Sequence, residues 1–170
     1  HLKTSLQDLQ KLGVDTVLVT GDSATVDLGH IGGGIDATGQ LSGNHIPIFG
    51  DTNFDGTLSQ AEDDALSVTL NLDQADVATQ MDHVVDLASQ LSLAGIDYIG
   101  VNADQAGSIT ITDDQASILV GAGLAFSEAG GANDQITVEA SAQGTHLKTS
   151  LQDLQKLGVD TVLVTGDSAT

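Results

Sequence analysis

The sequence predicts an α/β fold built from helix-glycine-strand units of βαβ type. These units form either a parallel sheet or an α/β solenoid-like body, interrupted by a Gly-rich insertion of short strands and loops. Three observations predict it. Leucines at helical spacing run into a glycine and then into a β-branched stretch; the same grammar returns 82 residues later; and the 25 residues from His1 to Thr25 recur unchanged as His146 to Thr170.

Leu2, Leu6, Leu9 and Leu12 fall on one stripe of a helix, and Gly13 stands where a glycine ends one. Val14, Thr16, Val17, Leu18 and Val19 follow as a β-branched run, which predicts a strand. Residues Asp22 to Leu72 break the rhythm. They hold "GHIGGGIDATGQLSG", the single proline Pro47, and short expected strands at 25–28, 46–49 and 67–72. Met81, Val84, Ala88 and Leu91 make the second helical stripe, which Gly95 closes. Beyond it "GIDYIGVNADQA" stands against the earlier "GVDTVLVTGDSA": five of twelve positions are identical and two more exchange Val for Ile. A third cycle starts at Asp113, a good N-cap, runs through Ile118 and Leu124, and passes Gly130 and Gly131 into a strand at 135–140. Its apolar stretch from Ala116 to Phe126 is expected as buried helix. A fourth cycle covers 145–165. Strands separated by helices on short glycine-bearing connections imply parallel pairing with right-handed crossovers, and spacings of roughly 25 to 40 residues also suit a solenoid.

An identical 25-mer at an interval of 145 residues is too long for a heptad or a short solenoid repeat, so the unit is domain-sized. Residues 1–145 are expected to be one full tandem repeat and 146–170 the start of the next, the chain being a window cut from an array. Only "SAQGT" lies between Ala140 and His146, which favours units docked into a continuous rod over beads on linkers. The second copy would then occupy, on the first unit, the place that the first copy takes on its predecessor, and a missing neighbour would leave apolar surface exposed.

The net charge is −20, with 24 acids against four lysines and no arginine. The 25-residue copy accounts for three of those acids and two of those lysines, so residues 1–145 carry 21 acids and two lysines. Nucleic acid and anionic membrane both need Lys and Arg to displace counterions, and stacking groups are few: Phe49, Phe54, Phe126 and Tyr98. Cations, or a salty medium, are the expected stabilising partners instead. At 40% apolar the chain has a real core and is no disordered acidic tail. It has no cysteine for a disulfide framework. No apolar run reaches the ~18 residues of a membrane span.

"DTNFDGTLSQAE", Asp51 to Glu62, matches D-x-[DN]-x-[DN]-G-x5-E at every required position. Asp51, Asn53 and Asp55 offer hard oxygen ligands, and Gly56 supplies the bend that turns the carbonyl of Thr57 inward. Ser59 could hold a bridging water and Glu62 would close the shell with two oxygens, while Leu58 pins the loop to the core. The metal expected is Ca2+. Pro47 and the alternating "GNHIPIFG" replace an entering helix with a strand, and no second loop pairs with this one, so a stapling role is expected over a sensor role. The competing reading is an Asx turn with solvated carboxylates. Asp15 and Asp97, two residues past matched glycines, and Asp22 and Asp104, just past matched strands, are read as turn and cap residues.

Several fragments mimic other chemistry. "VLVTGDSA" around Ser23, "GAND" at 131–134 and Asp27 with His30 look in isolation like blocks of GDS-type esterases. Asp27 and His30 follow Ser23 immediately, however, and Ser23 runs into an expected strand instead of the helix that a nucleophile turn opens, so no catalysis is expected. His30, His45 and His83 lack zinc spacing. "VGAGLA" from Val120 lacks the full dinucleotide fingerprint and is expected inside a helix.

The chain resembles the repeat regions of giant bacterial secreted or surface proteins of the RTX-associated, type I secretion adhesin and biofilm kind. The likeness rests on "GTHLKTSLQDLQKLGVDTV", on "ITDDQASILVGAGLAF" followed by "DQITVEA", and on the acidic, cysteine-free, repetitive composition. It covers about two thirds of the unit, and the GGxGxDxUx nonapeptide of a calcium β-roll is absent. The resemblance implies an extracellular, calcium-stiffened structural repeat lending length to a bacterial fibre, adhesin stalk or biofilm matrix. Its partners would be neighbouring repeats and like chains in a fibre. A calcium-dependent glycan-binding module is the rival reading, against which the scarcity of Trp and Tyr counts.

Overall fold

A computed structural model of the chain describes residue 9 and residues 12–19, 21–27, 48–72, 77–101, 108–127, 135–141 and 147–165. The expectations for Leu2, Leu6, the Gly-rich stretch 29–43, Pro47, Asp104, Gly130, Gly131 and the "SAQGT" connection beyond Ser141 lie outside the described residues. In chain order the elements are β1 (Thr16–Val17), β2 (Ser23–Asp27), β3 (Ile48–Phe49), α1 (Gln60–Asp63), β4 (Ser67–Leu72), α2 (Val77–Leu93), β5 (Tyr98–Val101), β6 (Ser108–Thr112), α3 (Asp113–Ala122), β7 (Ala125–Phe126), β8 (Gln135–Ser141), α4 (Leu151–Leu157) and β9 (Thr161–Thr165).

The fold is α/β, and every strand pairing among the described residues is parallel. The sheets run β1–β3, β2–β4–β5–β7 and β6–β8–β9. These pairings reduce to three rules, each obeyed twice. β1–β3 corresponds to β5–β7, β2–β4 to β6–β8, and β4–β5 to β8–β9. Strands β1 to β4 and β5 to β8 are therefore two versions of one four-strand turn, and β9 begins a third. The likeness of "GVDTVLV" to "GIDYIGV" is the sequence trace of this doubling.

The two larger sheets turn one face to the helices. Val68, Leu70 and Leu72 of β4 are buried while Ser67, Thr69 and Asn71 alternate with them, and Ile109 and Ile111 of β6 are buried between exposed Ser108, Thr110 and Thr112. Parallel sheets are usually covered on both faces. Among the described residues the helices α2, α3 and α4 pack side by side along one face, and this cover with period-2 alternation is solenoid-like. Their inward residues are Met81, Val84, Leu87, Ala88 and Leu91, then Ala116 and Leu119, then Leu154 and Leu157. Each large aliphatic chain buried in this way contributes about 1.5–3 kcal/mol.

The third cycle differs from its expectation. The N-cap is Thr112, not Asp113: its hydroxyl accepts from Gln115 N at 3.2 Å while Gln115 Oε1 accepts from Thr112 N at 2.9 Å. This reciprocal box frees the Asp113 carboxylate for other work. Ile118 is 47% exposed, because the inward stripe is Ala116 and Leu119. The apolar run is not one helix either. Gly123, left-handed at φ 78, caps α3, and Leu124 then leads into the unexpected strand β7. "VGAGLA" therefore straddles the end of a helix. β6 was also not expected.

Glycine is required where a helix turns into the next strand. Gly95 and Gly158 have φ of +82° and +88°, and a Cβ there would come within 3.1 Å of Phe49 O and 3.2 Å of Phe126 O respectively. Two residues on, Asp97 and Asp160 do the same job on neighbouring strands. Asp97 Oδ2 accepts from Val68 N at 2.7 Å and Asp160 Oδ2 from Ile136 N at 2.8 Å. The amides of Asp97 and Asp160 donate in return to Val68 O and Ile136 O, both at 3.0 Å. This Gly-x-Asp station locks each new turn of the fold to the one before. It also makes Asp97 the capping residue its position predicts.

Candidate metal centre

Strand β3 ends at Phe49 and Gly50 turns the chain, at φ 85, into the loop 51–62. The strand entry expected from "GNHIPIFG" is observed at Ile48–Phe49. Leu58 packs its Cδ2 against Gly95, which ties the loop to the end of α2. Phe54 and Gly56 take left-handed φ values of 59° and 79°, and the loop's amides consequently turn inward.

Asp51 is fully buried, and its two oxygens accept from Phe54 N at 2.8 Å and Gly56 N at 3.0 Å. Asn53 Oδ1 accepts from Asp55 N at 2.9 Å. Asp55 Oδ1 accepts from the amide and hydroxyl of Thr57, at 2.9 and 2.6 Å. Glu62 straps the loop's two ends together. Its Oε1 takes the Thr52 amide at 2.9 Å and hydroxyl at 2.6 Å, and its Oε2 takes the Ser59 amide at 3.1 Å and hydroxyl at 2.7 Å. The Thr52 and Ser59 hydroxyls, ahead of the two amides, hold the Glu62 carboxyl down to about 2. The Thr57 hydroxyl, then its amide, lowers Asp55. Both groups are thus carboxylates at neutral pH.

All five candidate ligands, Asp51, Asn53, Asp55, Thr57 and Glu62, lie in this one loop, but among the described residues no three His, Asp or Glu side chains gather into a group able to hold an ion. The loop is closed here by its own N–H and O–H donors. The donor chemistry nonetheless fits a hard divalent cation: the three carboxyl groups of Asp51, Asp55 and Glu62, the amide oxygen of Asn53 and the backbone carbonyl of Thr57. Asp51 in particular is a fully buried carboxyl group whose two oxygens each accept from one backbone amide, and a carboxylate buried without a compensating charge is costly. The two described lysines are engaged elsewhere, Lys148 with Asp114 and Lys156 with Asp153 at 3.7 Å.

Compared with known protein families, with curated proteins and with solved structures, the chain matches none.

Ser23, the apparent nucleophile, is the first residue of β2 and pairs in register with Ser67. His30, His45 and "GAND" lie outside the described residues, and His83 is exposed on α2. Two working residues escape the motif search. Thr52 anchors Glu62 from a loop position where the pattern allows any residue. Asp113, expected as a cap, accepts instead from Lys148 N and from Thr149 N at 3.1 Å, and so fastens the second 25-residue copy to the first unit. No helix among the described residues is long and apolar enough to cross a membrane.

Proposed function

We propose that this chain is a non-catalytic structural unit of a tandem-repeat protein, an extracellular fibre, adhesin stalk or biofilm matrix protein of a bacterium, stiffened by Ca2+ in the loop 51–62. One observation carries the structural part: the recurrent 25-mer is built into the body of the unit before it. Leu154 and Leu157 are 2% and 1% exposed, and β9 continues the β6–β8 sheet in five-residue register. A repeat that completes its predecessor's core gives length, not a ligand cavity. Ser23 at the head of a strand supports the same reading over an esterase.

The calcium part rests on the donor set and on the buried Asp51. The ion would be held by Asp51, Asn53, Asp55, the Thr57 carbonyl and Glu62, and would neutralise charge that, among the described residues, is met by hydrogen bonds. An ion bound only by the folded state stabilises it by about 2.7 kcal/mol at a hundredfold excess over Kd. For a chain of this size that is roughly 5 to 10 °C in melting temperature. The test is melting in calcium and in EGTA, for the native chain and for Glu62→Gln. The native chain is expected to gain those degrees in calcium and the variant to lose most of the gain. Identical melting of the native chain in both buffers would remove calcium from the proposal.

A further inference from the structure

The two copies of the 25-residue segment have one sequence and two environments. Leu157 is 1% exposed, whereas its counterpart Leu12 is 76% exposed. Gly158 abuts Phe126, and Gly95, at the equivalent station, abuts Phe49; around the Cβ position of Gly13 no described residue lies within 4 Å. On the other side the contrast reverses. β1 is paired with β3 by Thr16↔Ile48 and Val17↔Phe49, and Val19 is half-buried against the core, while its counterpart Val164 at the end of β9 is 55% exposed. Copy one shows the forward half of an environment and copy two shows the backward half.

The pairing rules say what the missing half is. The β4–β5 and β8–β9 pairings imply that β1 takes a strand of the β8 kind behind it. Adding that strand fuses two incomplete sheets. The three-stranded β6–β8–β9 and the two-stranded β1–β3 become a four-stranded β6–β8–β1–β3, which is the pattern of β2–β4–β5–β7 already present.

We propose that the face formed by Leu12, Gly13 and β1 is a docking surface for a preceding copy of this same unit, through residues 113–127 and 135–141 of that copy. This rests on the tandem-repeat reading above and gives the repeat its junction. The occupant is specified by the segment that fills the equivalent seat within this chain. There Leu154 and Leu157 enter the core beside α3, and Gly158 sits on Phe126. Asp160 caps Ile136, and Asp113 and Asp114 hold Thr149 and Lys148. The first copy carries the same residue types at each of these positions, Lys3 and Thr4 included.

The test compares equal leucines in unequal places, in EGTA so that the outcome is independent of calcium. In the 170-residue chain, Leu157→Ala is expected to lower the melting temperature by roughly 5 to 15 °C, and Leu12→Ala to leave it within about 1 °C, as expected of an exposed site. A longer chain is then made by joining residues 1–145 ahead of the 170. Its middle copy of the 25-mer is expected to behave like the last, so the alanine at the position of Leu12 now lowers the melting temperature as Leu157→Ala does. Leu→Val at the same places serves as the milder series should an alanine variant fail to fold. A middle copy that remains as tolerant as Leu12 in the shorter chain would overturn the proposal. So would a Leu12→Ala loss in the 170-residue chain equal to that of Leu157→Ala.

Discussion

Asp97 shows how a single acid can both fasten this fold and work against it. Its carboxylate caps Val68 N, which helps the charged form, but burial is the larger effect and pushes its pKa up. A folded-state pKa above the unfolded value means that the folded protein binds the proton first. This group's contribution to stability therefore rises as pH falls through the raised value, and the gain is complete below the unfolded value near 4. Asn at 97 keeps an oxygen for Val68 N and has no charge to bury. The melting temperature of Asp97→Asn is expected to exceed or equal that of the native chain at pH 7, and the native chain to gain on the variant as pH falls to about 4. A difference that stays constant across that range would show that burial of the charge has no role. Asp97→Ala leaves the Val68 amide without its acceptor, and a loss of about 1–3 kcal/mol is expected at either pH, measurable by urea titration.

Among the elements, the helix-to-strand corner decides the geometry. Gly158 and Gly123 both have left-handed φ, but only Gly158 lies against a backbone oxygen, 3.2 Å from where a Cβ would stand, while Gly123 has open space. Gly123→Ala is expected to cost about 1 kcal/mol for conformation alone. Gly158→Ala adds displacement of Phe126 and is expected to cost about twice as much or more, with denaturant unfolding as the measurement. These corners explain what the residues could foretell. A leucine stripe ending in glycine before a β-branched run is a local pattern, and it correctly located α2, its turn at Gly95 and strand β5. The run Ala116–Phe126 misled because apolarity looks alike in a buried helix and a buried strand. Only the backbone sign at Gly123 separates them. The sheet order was out of reach for a different reason: β8–β9 pairing and the junction at Asp113 depend on contacts between segments 24 or more residues apart. At the loop, the motif spacing from 51 to 62 was legible, whereas the strap from Glu62 to Thr52 was not, since position 52 is unconstrained by the motif.

For the whole molecule, charge and stacking make opposite demands on an array of such units. Residues 1–145 carry 21 acids against two lysines, so neighbouring units of the proposed array would repel. Junctions built as a shared sheet and a shared core would hold against that repulsion; flexible connections would merely be stretched by it. The two cases scale differently. Docked units lengthen the particle in proportion to their number, so four should measure about twice the maximum dimension of two, whereas freely jointed beads grow by only about 1.4-fold, as the square root. Salt separates them further. Screening at high ionic strength shortens the reach of the repulsion to a few ångströms, which lets a jointed chain contract but leaves a docked one unchanged. Small-angle scattering of two-unit and four-unit chains at low and high salt is expected to give the doubled length at both. Contraction in salt together with square-root growth would mean that the units are strung and not stacked.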